Sequence, residues 1–240
     1  MTGKRTRVVR AKAAAAKVAV IGVTLLLAGS GLAAHASART TAVSRHASFV
    51  VVHGKHVKCT IVGTAGNDTL VGTAGPDVIC GLGGNDTVYG GLGDDIISGG
   101  AGKDVLHGNR GNDTLLGGGG NDRLFGDLGN DGLYGERGKD ILRGYLGDDL
   151  MKGGFSRDFL RGGPGNDVIS GGRGNDNIAG GTGDDTMTGG LGKDRFLGWS
   201  GDDAINAIDG VAGNDRINGG QDTDTCDADT GDTVTNCELS

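Results

Sequence analysis

Proline is almost missing from this chain, at 2 residues in 240, although glycine is abundant at 52. A glycine-rich chain so poor in proline is not a collagen-like triple helix, which needs both. Large apolar side chains are scarce too: hydrophobic residues make up 36% of the chain and aromatic ones 4%. That supply cannot build one thick core for 240 residues, so something else must order the chain. Acidic residues are lacking over residues 1–38, which hold Lys4, Arg5, Arg7, Arg10, Lys12 and Lys17. The remainder therefore carries 17 Lys and Arg against 30 acids, a net of −13 rather than the −7 of the whole. Such a chain repels nucleic acid and attracts cations.

Catalytic signatures are absent as well. Neither His-Glu-x-x-His nor Gly-x-Ser-x-Gly occurs, and Gly198-Trp-Ser-Gly201 is one residue short of the second. No catalysis of its own is expected. The basic N-terminus runs into the apolar stretch Val18–Ala28 and then into the small-residue steps Ala34-His-Ala36 and Ala36-Ser-Ala38. That order predicts a secretory signal peptide over 1–38, cleaved after Ala36 or Ala38. The apolar stretch is shorter than the ~20 residues that span a bilayer, so no membrane span is expected in the mature chain. Ser30 stands where a lipoprotein would carry Cys, and no twin-Arg pair precedes the stretch. The expected destination is extracellular. The four cysteines fit it: no Cys-x-x-Cys occurs, and no His lies near the C-terminal pair. Three pairings are possible; Cys59–Cys80 and Cys226–Cys237 are expected because short loops close most easily, with free thiols or a zinc site as the alternative.

What the chain does have is a period. Asp68, Asp77, Asp86, Asp95, Asp104, Asp113, Asp122, Asp131, Asp140, Asp149, Asp158, Asp167, Asp176, Asp185, Asp194 and Asp203 are spaced by nine without a break. The insertion Ala207-Ile208-Asp209 shifts the phase, and Asp215 and Asp224 bring the count to eighteen. With this Asp at position six of each unit, position one is always Gly, position four is Gly except at Ser156 and Asp222, and position eight is apolar from Leu70 to Cys226. Each unit thus predicts a six-residue turn and a three-residue strand. Gly at positions one and four allows positive backbone dihedrals that curl the turn and aim carbonyl oxygens at a common point, where Asp adds a carboxylate. Many hard oxygens on a flexible frame suit Ca²⁺, while Mg²⁺ demands a stricter octahedron. The eighteen Asp are the candidate metal ligands.

The pattern Gly-Gly-x-Gly-x-Asp-x-apolar-x resembles the RTX, or haemolysin-type, calcium-binding nonapeptide repeat family over about residues 63–227. The resemblance implies an all-β parallel β-roll, an RTX-type solenoid of about eighteen repeats with two per coil, in which multiple Ca²⁺ ions sit between turns stacked 18 residues apart. It also implies an opening coil near Cys59 and a closing coil over Gly231–Cys237. The expected division is a signal peptide at 1–38, a linker with capping strands at 39–62, the roll at 63–227 and a C-terminal cap at 228–240. Segments Ser48–Val52 and Val57–Val62, joined by His53-Gly-Lys-His56, read as the capping strands, and His46, His53 and His56 as solvated or cap residues. Stacked Asp rows repel one another until a cation lies between them, so metal binding and folding are expected to be one event.

Two other signals fail. Only Thr64, Thr73 and Thr182 occupy position two or three, too few for an ice-binding array. Asp227-Ala-Asp-Thr-Gly-Asp232 imitates an EF-hand loop, but Gly231 falls one place early. Two asymmetries remain. At position five, odd units carry Lys103, Lys139, Arg157 and Lys193, whereas even units carry Asp94, Asp148, Asp184 and Asp202. The odd strands should also face outward with an Arg and aromatic stripe including Arg123, Phe125, Arg143, Phe159, Arg161 and Arg195. That stripe is either a solvated face balanced by nearby Asp or a dock for an anionic or sugar-bearing ligand. Function is accordingly expected to be secreted calcium binding, with a calcium-rigidified adhesin for a cell-surface or glycan partner as the alternative.

Overall fold

In a computed structural model, residues 7–10, 49–52 and 54–239 are described. The apolar stretch and cleavage steps of the predicted signal peptide, and His46 and His53, lie outside the described residues. The described residues form two parallel sheets of 11 strands each and a separate two-stranded hairpin. Odd units supply one sheet, from Asp68–Val71 through Thr87–Leu92 to Thr233–Thr235. Even units supply the other, from Ile61–Val62 through Val78–Gly83 to Glu238–Leu239. The odd sheet is extended at its first edge by Arg7–Arg10, whose backbone pairs in parallel with Asp68–Val71.

Before the insertion each strand of the roll pairs in register with the strand 18 residues on, as in Ile97 to Leu115 to Leu133. Across the insertion the step is 21: Phe196 faces Ile217, and Ile205 faces Cys226. The three extra residues are thus absorbed in a turn, and every apolar side chain keeps its place. A slip of one residue would turn each of them to the outside. The core is one row of position-eight side chains from each sheet, such as Leu70, Ile97, Leu133 and Met187, all fully buried. Two facing rows are what a chain with so few large apolar residues can fill.

The strands are longer than the spacing predicts. From Val78–Gly83 to Arg195–Ser200 they run six residues, as in Ile96–Ala101, because the first half of each turn stacks on the next coil and continues the ladder. The capping segment also differs from expectation. Phe49–Val52 pairs antiparallel with Lys55–Lys58, while Ile61–Val62 already pairs with Ile79 and Cys80 in the even sheet. A tighter connection containing Gly54, at a φ of 77°, replaces the four-residue turn. The hairpin packs on the outer face of the even sheet, where Val50, Val52 and Val57 cover Val78, Ile96 and Leu116. Both expected disulfides, Cys59–Cys80 and Cys226–Cys237, are present. Among the described residues no helix is long and apolar enough to cross a membrane.

Candidate metal sites along the turns

The position-six Asp lies where the turn gives way to the next strand, and its burial is a consequence of stacking. All eighteen, Asp68 to Asp224, are buried. One carboxylate oxygen stitches neighbouring coils: Oδ1 of Asp86 accepts from the backbone N–H of Asp68 at 2.8 Å, and Oδ1 of Asp149 from that of Asp131 at 2.8 Å. The rungs continue across the insertion, where Asp215 and Asp224 accept from Asp194 and Asp203. From the third turn on the other oxygen has no partner: Oδ2 is buried and unbonded in each position-six Asp from Asp86 to Asp224. A buried polar atom left unpaired costs about 1–3 kcal/mol, and more when charged, so a column of them calls for a counter-ion or for protons.

Glycine at position one has a different cause from the one the sequence suggests. Positive φ occurs at positions two and four, as in Gly91 and Gly93 at 117° and 100°, and not at position one of a regular turn such as Gly90. A Cβ on Gly90 would sit 2.6 Å from the Gly108 carbonyl oxygen and 2.5 Å from Asp95 Oδ2. Only Gly leaves that space, a cradle where a main-chain oxygen of the next coil meets the unpaired carboxylate. Position two tolerates the left-handed region without Gly: Leu82, Asn109, Asp127, Glu136, Tyr145 and Trp199 all have φ between 71° and 86°.

The first two turns are built otherwise. Asp68 Oδ2 accepts from the Thr64 amide at 2.6 Å and hydroxyl at 2.8 Å, and Asp77 Oδ2 does the same with Thr73 at 2.7 and 2.8 Å. In these turns position four, Gly66 and Gly75, lacks the positive φ of the later ones. Thr at position two was legible as the distinguishing feature, since no other unit has it. Its role was not, because only the fold brings the hydroxyl to the carboxylate four residues on.

Position five is not idle either. On the even edge Asp94, Asn112, Asn130, Asp148, Asn166, Asp184 and Asp202 form a continuous ladder, each side chain accepting from the backbone N–H of the next coil. On the odd edge the ladder has gaps at Lys103, Lys139, Arg157 and Lys193, whose side chains hold no acceptor, although their own N–H groups can donate, as Lys103 does to Asn85.

Electrostatics follow from this stacking. Burial, opposed by the backbone N–H rung and aided by Asp in adjacent coils, raises Asp86, Asp95 and Asp104 from 3.8 to about 6. Asp149 and Asp185 rise to about 7 by burial and by the acidic neighbours on the even edge. Asp158 rises furthest, to about 8, through burial and then the charges of Asp140 and Asp176. Its turn also carries Ser156 at a φ of 83°.

Among the described residues no three His, Cys, Asp or Glu side chains converge on one point. A metal held between these turns must therefore take main-chain carbonyls along with carboxylates, a donor set for a hard cation. The unpaired Oδ2 atoms and the cradles at position one fit such an ion. Models of the RTX calcium-binding nonapeptide repeat, four copies long, match residues 62–97, 98–133, 125–160, 134–169, 143–178, 170–205 and 200–234. No curated protein matches the chain.

Proposed function

The chain belongs to the RTX calcium-binding nonapeptide repeat family, and we propose from that premise that it is a secreted protein whose β-roll is folded by Ca²⁺ held between its turns. The unpaired, buried Oδ2 atoms of Asp86 to Asp224 carry the reading. These Asp would hold the ions together with turn carbonyls. Bound Ca²⁺ supplies positive charge that compensates the column of carboxylates. Asp68 and Asp77 stand outside the set, because Thr64 and Thr73 already satisfy them. Export fits the basic, apolar and small-residue order of residues 1–38 and the two disulfides, which persist in oxidising surroundings. Removal of the leader would free the Asp68–Val71 edge that Arg7–Arg10 pairs with.

Circular dichroism and calorimetry during calcium titration test the proposal. In chelator at neutral pH the chain should lack a cooperative unfolding transition, and it should gain β-signal as Ca²⁺ is added, with Mg²⁺ a poor substitute. An unchanged folded spectrum and melting transition in chelator would refute it.

A further inference from the structure

The outer face of the odd sheet carries a groove of about 450 Å³ lined by Arg143, Phe159, Arg161, Ala179, Arg195 and Leu197. Its origin is a single short side chain. Arg143, Arg161, Ala179 and Leu197 follow one another along the ladder, so Ala179 leaves a gap between long neighbours. Arg161 reaches across that gap, and its guanidinium lies 4.5 Å from the centre of the Trp199 ring. The rung between them, Ala179 and Gly181, has nothing to obstruct it. Stacking on an indole fixes the plane of a guanidinium and leaves its N–H fork free.

The cations of this groove have no carboxylate partners. Among the described residues no carboxylate lies within 4 Å of the guanidinium of Arg143, Arg161 or Arg195, and all three are exposed. The sequence allowed that these Arg balance nearby Asp. No ion pair joins them to an Asp, because the position-six Asp are drawn into the turns while the strand face keeps the cations. The opposite sheet differs, since the hairpin covers part of its face. Nearer the N-terminus the odd face also differs: Tyr89, His107 and Phe125 stack on one another 4.6 to 5.2 Å apart and present their edges.

We infer that this groove binds an acidic polysaccharide, with carboxylates on the guanidinium forks and sugar rings against Phe159, Ala179 and Leu197. Charge selects the class: three cations without carboxylate partners, on residues 39–240 of net −13, are a local attraction for anions in a repelling field. The floor distinguishes a glycan from an acidic peptide. A peptide laid on this face would press its amides against apolar side chains with no sheet edge to pair with, and buried unpaired amides are costly. Sugar rings offer an apolar face to the floor and turn their hydroxyls to water. The inference needs the rolled fold but no particular calcium stoichiometry.

Short oligogalacturonates, titrated into the calcium-loaded full chain by calorimetry, provide the test. Neutral dextran and poly-glutamate serve as the other ligands. The triple variant Arg143→Gln, Arg161→Gln, Arg195→Gln should weaken oligogalacturonate binding by about tenfold or more, as expected for lost charge-assisted hydrogen bonds. A control with the same charge change on the other sheet, Lys152→Gln, Arg137→Gln, Arg173→Gln, should bind as the parent does. Ala179→Leu, which fills the groove without changing charge, should also weaken binding. Loss of binding equal in the two triple variants, equal binding of poly-glutamate, or no binding by the parent would overturn the inference. Failure of the calcium-driven fold would appear separately, in the circular dichroism of each protein.

Discussion

The carboxylate at position six works through two oxygens that face different demands. Oδ1 is committed to a backbone rung, and Oδ2 is left for whatever lies between coils. Asp149→Asn keeps the shape but removes the charge, so calorimetry should show fewer bound calcium ions. Asp77→Asn should leave the calcium count unchanged and instead lower stability, by about 1 kcal/mol for a hydrogen bond network with Thr73. An equal loss of ions in both variants would contradict the separate role of the first two turns. Position one gives a second residue-scale outcome. A Cβ on Gly144 would run into Asp149 Oδ2, so Gly144→Ala should raise the calcium midpoint and cost about 1–3 kcal/mol through overpacking. The same change at Gly119, where a Cβ meets nothing, should do neither.

Each edge of the roll behaves as one element because its Asp are coupled through neighbouring coils. On the even edge acids at position five join an unbroken ladder; on the odd edge four cations interrupt it. Calcium should therefore bind the even edge first, and Asp95→Asn, Asp149→Asn and Asp185→Asn together should raise the titration midpoint more than Asp104→Asn, Asp140→Asn and Asp194→Asn. Equal midpoints would refute the asymmetry. The Ser156 turn should be the weakest site, since its Asp158 resists ionisation most. Acidity acts on whole columns as well. A carboxyl raised from 3.8 to about 6 in the fold stabilises it below 3.8, where it is protonated in both states, and that stabilisation is lost as pH rises through about 6. For Asp149 and Asp158 the loss extends to about 7 and 8. The calcium-free roll should accordingly melt highest in acid and lose its transition towards neutral pH, while calcium affinity rises over the same interval. Thermal scans in calcium-free buffer from acid to neutral pH check this, and a melting temperature that climbs with pH would contradict it.

For the whole molecule, the disulfides and the thin core set how order spreads. Cys59–Cys80 ties the hairpin segment to the second coil, beside the two turns that need no ion, and Cys226–Cys237 closes the far end with its sulfur in the core row. Coils that contact only their neighbours make stability a sum of units and interfaces. Replacing Cys226 and Cys237 by Ser should cost about 2–4 kcal/mol and fray the C-terminal coils first. Hydrogen exchange in saturating calcium reads this out as loss of protection confined to residues after the insertion. Uniform loss along the roll would mean that the coils unfold as one unit.

The nine-residue period determined the architecture because a solenoid is local: Gly, Asp and an apolar residue at fixed offsets give the same coil wherever they recur. The step from 18 to 21 at Ala207–Asp209 was equally legible, as was the pairing of cysteines close in sequence. Tertiary structure decided what depends on the distance between coils. Which carboxylate oxygen is satisfied, why position one excludes a Cβ, and where the hairpin lies are all set by atoms 18 or more residues away. The groove is of the same kind. Ala179 is an ordinary small residue in the sequence, and it becomes a depression only when the parallel register sets Arg161 and Leu197 on either side of it.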